Sequence, residues 1–244
     1  MLKKRMISRG GALELLERIA GAPAAPSRTL YIPPFLAADE LAVMLGEIQA
    51  APETSGELGE IATASPTGAV IFRSDAIKYL IVPPFPVAEK VLAAGIDTAP
   101  LRAQLAKDYC IGVVLVRLGA YAIGICQGDK IIGSKVGTGL VHGRNRKGGS
   151  SSHRFERHRD KQIEQFLIRV CGHAREQLEP YLKALDYMVY GGAKKTILMA
   201  QKYCPLLMKL DKPVLPPLLD IPDPRQAVLE SAVARVWSSA VWEW

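Results

Sequence analysis

The chain has 244 residues, 49% of them hydrophobic, enough apolar side chain for one large core or two small ones. Its net charge of +7 and pI near 9.2 lean toward polyanionic partners. Cys110, Cys126, Cys171 and Cys204 form no CxxC pair and the four histidines no HExxH pair. That spacing argues against a zinc site or a disulfide framework and fits reduced thiols in the cytoplasm, with no metal and no cofactor expected.

The N-terminal MLKKRMISRGG is followed by ALELLERIA, whose Glu14, Glu17 and Arg18 make it an amphipathic helix, not a secretory apolar region. Lys3, Lys4, Arg5 and Arg9 read as a basic arm or a frayed terminus. After the linker GAPAAPS, Arg28–Ile32 reads as a short strand stopped by Pro33-Pro34, and Leu41, Met44, Leu45 and Ile48 mark a helical face. Residues 62–67 read as a turn-rich loop; 69–72 and 78–82 read as a hairpin ended by Pro83-Pro84. Residues 1–105 are thus expected to form a small α+β domain without an active site, and 106–244 a second domain.

From Tyr109 the pattern changes to close-set strands. Residues 111–118, 121–126 and 130–136 are separated by Gly119-Ala120 and Gln127-Gly128-Asp129, which are hairpin turn signals. The apolar run 111–126 contains Arg117 and three glycines, so it divides into two strands instead of crossing a membrane. These strands lead into VHGRNRKGGSSSHRFERHRDKQIEQF, residues 141–166. Its tip, a loop over 142–153, is glycine-rich, serine-rich and basic: Arg144, Arg146 and Lys147 precede Gly148-Gly149, and Ser150, Ser151 and Ser152 follow.

In the helix that comes next, Arg154, Arg157, His158 and Lys161 stand at i, i+3, i+4 and i+7, while Phe155, Ile163, Phe166, Val170 and Ala174 fall on the face a core would take. A stripe of this kind is a solvated helix face or, beside a helix N-terminus with three cations in the preceding loop, a phosphate-binding surface. The helix is expected to end before Pro180. A buried strand over 186–190, a Gly191-Gly192 turn and a helix over 194–203 follow, then a proline-interrupted edge strand over 214–221. Asp223 reads as the N-cap of a last helix, with Pro224 at its first position and Leu229, Val233, Val236 and Trp237 inward. Trp242 and Trp244 read as a sticky end that docks on the N-terminal unit or on another copy. The order is that of a mixed sheet flanked by helices.

Three hairpin strands, a basic GG loop, a long helix and the later strand and helix units resemble the central, catalytic domain of eukaryotic and archaeal class 1 peptide-chain release factors, a ribonuclease H-like fold. GGSSSHRFERHRDKQIEQF is more closely similar to the Vms-type branch of ribosome-rescue factors, and DYMVYGGAKKTILM and LLDIPDPRQAVLESA resemble later units of the same domain. The leading RTLYIPP and IKYLIVPPFPV look like the first part of bacterial members. The resemblance implies a loop that enters the peptidyl transferase centre of the large ribosomal subunit, where Gly-Gly followed by glutamine sets water against the ester of peptidyl-tRNA. Gly148 and Gly149 match the glycine pair. The glutamine has no match: its place falls on Ser150 by the release-factor pattern, or on Ser151 or Ser152 by the Vms-type one. His153 beside the serines has general-base chemistry, with a phosphate contact as its other role.

Two departures shape the functional expectation. The chain shows no NIKS-like codon-reading motif and stops where release factors continue into the domain that engages a partner GTPase. What the resemblance implies is therefore a codon-independent peptidyl-tRNA hydrolase acting on stalled ribosomes or large subunits, without a GTPase and without a membrane. The alternatives are an inactive ribosome- or RNA-binding protein of the same fold, or a nuclease acting at the tRNA 3′ end. The nuclease reading needs carboxylates able to hold metal, whereas Asp129, Asp186 and Asp220 are scattered.

Overall fold

The structure is a computed structural model that describes residues 2–22, 26–48, 52–143 and 152–244; for Ser152 and His153 it describes the backbone alone. The chain divides into two compact units, Met1–Lys107 with Ala234–Trp244, and Asp108–Val233.

In the first unit, β1 (Lys3–Ile7), α1 (Arg9–Gly21), β2 (Arg28–Ile32), α2 (Ala38–Gly46), α3 (Pro52–Ala64), β3 (Ala69–Arg73), β4 (Lys78–Val82), β5 (Val91–Ala94) and α4 (Ala99–Ala106) follow one another. The second unit continues with β6 (Cys110–Arg117), β7 (Ala120–Gln127), β8 (Lys130–Thr138), α5 (Ser152–Leu178), β9 (Tyr187–Gly191), α6 (Lys194–Tyr203) and α7 (Pro205–Lys209). After these, α8 (Gln226–Val236) leads to β10 (Ser239–Glu243), which returns to the first unit.

The first sheet has the order β1-β10-β4-β3-β2-β5 and its pairings are antiparallel. Its strands alternate as a sheet covered on both faces requires. Tyr31, Val70, Phe72, Ile81 and Val241 pack with α1 and α4, while Leu30, Ile32, Ala69, Ile71 and Leu80 pack with α2 and α3. Ser8 caps α1 by accepting from the Gly11 amide at 3.3 Å, and Ala12, Leu15, Leu16 and Ile19 are the helix's buried face.

Three expectations for this region change, and one holds. Lys3–Ile7 is a paired edge strand instead of an arm, because β10 supplies its hydrogen-bonding partner from the far end of the sequence. Residues 62–64 belong to α3, with the turn beginning at Ser65. The last eleven residues lie in the first unit, where β10 pairs with both β1 and β4, so the C-terminal segment does not belong wholly to a second domain starting at 106. Trp237 is buried edge-to-face against Phe85, with ring centroids 4.7 Å apart, and the Arg9 guanidinium lies over its ring at 4.3 Å.

The second sheet is mixed and flanked by helices, with order β8-β7-β6-β9. The β6–β7–β8 meander is antiparallel, and β9 runs parallel to β6 after the α5 crossover. Val114, Val116, Tyr121, Ile123 and Ile125 meet Ile163, Phe166, Leu167, Val170 and Ala174 of α5 in one core. On the other face, Leu229 of α8 reaches Gly124. Residues 214–221 form only isolated bridges, Met188 with Val214 and Gly191 with Leu219, since Pro213, Pro216 and Pro217 offer no N–H to a ladder. The last helix starts at Gln226, not at Pro224; Asp223 is instead 3.7 Å from the Arg117 guanidinium, which also donates to the Ile221 carbonyl.

Candidate functional site

Helix α5 is 27 residues long, about 40 Å at 1.5 Å per residue. Its C-terminal two-thirds are anchored: Ile163, Phe166, Leu167, Val170, Ala174 and Leu178 are buried. From Arg154 to Lys161 no side chain is buried. The N-terminal turns therefore stand clear of the core, and Phe155, expected inward, is 57% exposed because the sheet offers it nothing to pack on.

Arg154, Arg157, His158 and Lys161 are exposed and share the outward side of this stretch at 100° per residue. Glu156, Asp160 and Glu164 run down the neighbouring flank at i, i+4 and i+8. The end of the helix is thus cationic in one direction and not all round. The first turn carries no acidic residue, so nothing there offsets the positive pole of the helix.

The segment that leaves β8 is tied to the same helix. Gly139 donates to the Gly119 carbonyl at 2.9 Å, and a Cβ at Gly139 would stand 2.7 Å from the Phe166 ring, so the chain runs against that ring only because the residue is glycine. Arg169 Nη1 donates to the Thr138 carbonyl at 3.2 Å. One helical turn from Ile163, Arg159 Nε donates to the His142 carbonyl at 2.9 Å, and the His142 amide donates to Gln162 Oε1 at 3.1 Å. Both backbone groups of His142 are held by one helix flank. The His142 and His158 rings come within 6.3 Å of each other. Together with Gly143, Phe155, Glu156, Arg159 and Asp160 they line a cleft of about 660 Å³.

Farther along α5, Tyr121 stacks on His173 with ring centroids 5.7 Å apart and meets Phe166 edge-to-face at 6.0 Å; burial pushes its phenol above the ordinary value. The cysteines of the unit are buried. Burial drives Cys126 up to about 12, and burial followed by the neighbouring Cys204 thiol raises Cys171, so both are neutral thiols at physiological pH.

Gly148, Gly149, Ser150 and Ser151, with Arg144, Arg146 and Lys147, lie outside the described residues. Ser152 and His153 are the first two residues of α5. Gly143 and Ser152 therefore bracket the glycine-serine tip on the chain. His142, Phe155, Arg159 and Gln162 are the site residues that sequence reasoning missed. The signal was present: Arg159 and Gln162 fall between Phe155 and Phe166 at i+4 and i+7 of an otherwise apolar flank, where polar side chains need backbone partners.

The remaining sequence candidates have structural roles. Asp186 Oδ2 accepts from the Cys110 amide at 2.9 Å. Gly192 has φ +123° and donates to the Leu219 carbonyl at 2.9 Å in the strand-to-helix turn. Among the described residues no group of three His, Cys, Asp or Glu is placed to hold a metal ion, and no helix is long and apolar enough to cross a membrane.

Residues 110–242 match the family described as acVLRF1, Actinobacteria/chloroflexi VLRF1 release factor. Among curated proteins, peptide chain release factor subunit 1 of Thermococcus sibiricus is 32% identical over 127 residues, which is 50% of this chain and 31% of that protein. The protein of the same name from Archaeoglobus fulgidus is 33% identical over 97 residues, 40% of this chain and 24% of that one. The chain thus spans less than a third of the length of these relatives. A crystal structure of an archaeal translation termination factor is similar with a TM-score of 0.40 at 19% identity, covering 95% of this chain and 73% of that one.

Proposed function

The chain belongs to the Actinobacteria/chloroflexi VLRF1 release factor family, and from that premise we propose that it is a codon-independent peptidyl-tRNA hydrolase of the ribosome. The observation that carries this reading is the position of Gly148-Gly149. In sequence the pair lies inside the matched region, between the clamped His142-Gly143 and the cationic end of α5. The likeness of the loop to Vms-type rescue factors supports the same reading and favours stalled ribosomes or large subunits as the setting.

In the proposed reaction the outward cations, Arg154, Arg157 and Lys161, hold RNA phosphates while the loop reaches the tRNA 3′ end. The glycine pair lets the backbone approach the ester, and a loop N–H stabilises the oxyanion. A water oxygen attacks the carbonyl carbon and the bond to the ribose oxygen breaks. The peptide leaves as its carboxylic acid and the tRNA hydroxyl takes the proton. One of Ser150, Ser151 and Ser152 positions the water where relatives use glutamine, and His153 is at hand as base or phosphate contact.

The test is release of peptide from peptidyl-tRNA on isolated stalled ribosomal complexes. Wild type releases peptide, and Gly149→Ala lowers the rate on the order of 10²-fold, the scale of one misplaced oxyanion donor. A second reading, an RNA-binding relative without hydrolysis, is favoured by the serine in the glutamine's place. It prevails where wild type releases nothing, yet binds ribosomes in a salt-sensitive way that Arg154→Ala/Arg157→Ala/Lys161→Ala abolishes.

A further inference from the structure

In the first unit three cations stand in a row across adjacent strands. Arg28 on β2 is the direct register partner of Arg73 on β3, and Arg73 is the direct partner of Lys78 on β4. Directly opposed residues share a face, with Cβ atoms about 4.5–5.5 Å apart, and like charges there repel. The face is the one that carries Leu30, Ile71 and Leu80, and the row lies at its rim beyond the end of α2.

A row of this kind calls for counter-charge, and among the described residues no ion pair supplies it. Arg28 Nη1 donates to the Ser27 carbonyl at 3.3 Å and Arg73 Nη1 to the Ser74 carbonyl. Among the described residues no carboxylate lies within ion-pair distance of any of the three cations. Arg73 Nε is shielded from solvent and has no hydrogen-bond partner among the described residues. The two guanidinium groups line a pocket of about 110 Å³ whose rim includes Ser27, Ser74 and the exposed carboxylates Glu47 and Asp75. An orphaned, desolvated guanidinium donor beside a second guanidinium is a site for an anion with several acceptor oxygens.

We propose that Arg28, Arg73 and Lys78 bind consecutive phosphates of a single-stranded RNA. Three strands at about 4.8 Å spacing spread the row over about 10 Å, more than one phosphate group spans. Continuing the β4–β10 register past Glu243 puts Trp244 opposite Lys78, and its amide donates to the Lys78 carbonyl at 3.3 Å. Trp244 is partly buried against the same cluster, which adds an aromatic face at the end of the row, as single-strand binding surfaces use. The choice of RNA rests on the translational reading above; the phosphate row itself does not, and it involves no residue of the loop or of α5.

The experiment measures affinity for a short oligouridylate as a function of salt, on the full chain carrying Arg154→Ala/Arg157→Ala/Lys161→Ala so that α5 does not contribute. Adding Arg28→Gln/Arg73→Gln/Lys78→Gln makes the slope of log K against log salt shallower by about 0.7 per lost phosphate contact, about 2 in all. Arg73→Lys keeps the charge and so keeps the slope. Melting temperatures are read alongside: the glutamine variant melts no lower than its parent, since it removes repulsion. An unchanged slope together with a higher melting temperature would identify the row as merely repulsive surface charge and overturn the proposal. So would oligouridylate affinity that is unaffected while inorganic phosphate stabilises only the parent, which would make this a site for the free ion. Neither result touches the release assay on stalled complexes.

Discussion

The clamp on His142 gives the sharpest mechanical prediction. Arg159 Nε and Gln162 Oε1 hold the carbonyl and the amide of one residue, three residues past the point at which the chain leaves the sheet at Gly139. Both partners are solvent-accessible, so each bond is worth no more than an ordinary net value, about 1 kcal/mol, and the two together hold the stem with about 2 kcal/mol. That corresponds to a docked-to-undocked ratio of about 30, which Arg159→Ala lowers to about 5. The His142 amide is itself one of the clamped groups, so its hydrogen exchange reports the opening directly: about fivefold faster in Arg159→Ala, with the global melting temperature unchanged.

Two companion variants separate geometry from charge. Arg159→Lys keeps the cation but loses the planar Nε–H donor, and it behaves like the alanine variant if the hydrogen bond is the operative contact. Gln162→Glu keeps an acceptor for the amide and leaves exchange slow, whereas Gln162→Leu accelerates it. Release by the same variants follows the exchange rates if the clamp aims the loop. Unchanged exchange at His142 in Arg159→Ala refutes the clamp. Faster exchange with unchanged release in an active chain refutes its role in positioning.

Two further predictions concern the scaffold of the second unit. At Gly192 the φ of +123° and a Cβ that would sit 2.1 Å from the Val116 carbonyl oxygen make Gly192→Ala destabilising by about 1–3 kcal/mol from backbone strain, with the clash in addition; denaturant unfolding measures it. Cys126, with its thiol pushed up to about 12 from 9.0, resists alkylation at pH 8 in the folded chain and reacts on unfolding. The sign of its pH dependence follows: above pH 9 the unfolded thiol ionises and the folded one does not, so this contribution to stability is lost between pH 9 and about 12, and Cys126→Val flattens that fall.

Local pattern was enough wherever an element's partner lies close by in sequence. Arg28–Ile32 and Lys194–Tyr203 come directly from alternation and from helical spacing ended by a proline. The β6–β7–β8 meander follows from its two glycine turns, Gly119 at φ +101° and Gly128 at φ +61°. Strands β1 and β10 were illegible because neither carries its reason locally. KKRMI has no apolar alternation, and it is a strand because Ser239–Glu243 pairs with it from the other end of the chain. Helix α3 hid for the opposite reason: PETSGELGEIATA is poor in helix formers, and burial of Leu58 and Ala62 against α2 outweighs propensity. Non-local pairing and tertiary burial are terms that a window along the sequence does not contain.

At the candidate site the same division decides what was read and what was missed. The 3.6-residue period alone puts Arg154, Arg157, His158 and Lys161 on one side of α5 and Ile163, Phe166, Val170 and Ala174 on another. Phe155 obeys the same period and is nevertheless exposed, because period fixes direction while burial also needs a neighbour at that height along the axis. The stretch between Arg154 and Lys161 is therefore a different object from the rest of the helix: the same amphipathic angle, but without the buried sheet core that Ile163 and Phe166 pack on. Its Arg159 turns to the backbone of His142, its acidic flank keeps the charge one-sided, and its cations face solvent. Net charge does not describe such an end; direction does. Exchanging Lys161 with Asp160 would leave the total untouched and place the cation on the Glu156–Asp160 flank. RNA binding that tolerates this exchange as well as the wild-type arrangement would mean that bulk charge alone, and not the face of α5, carries the contact.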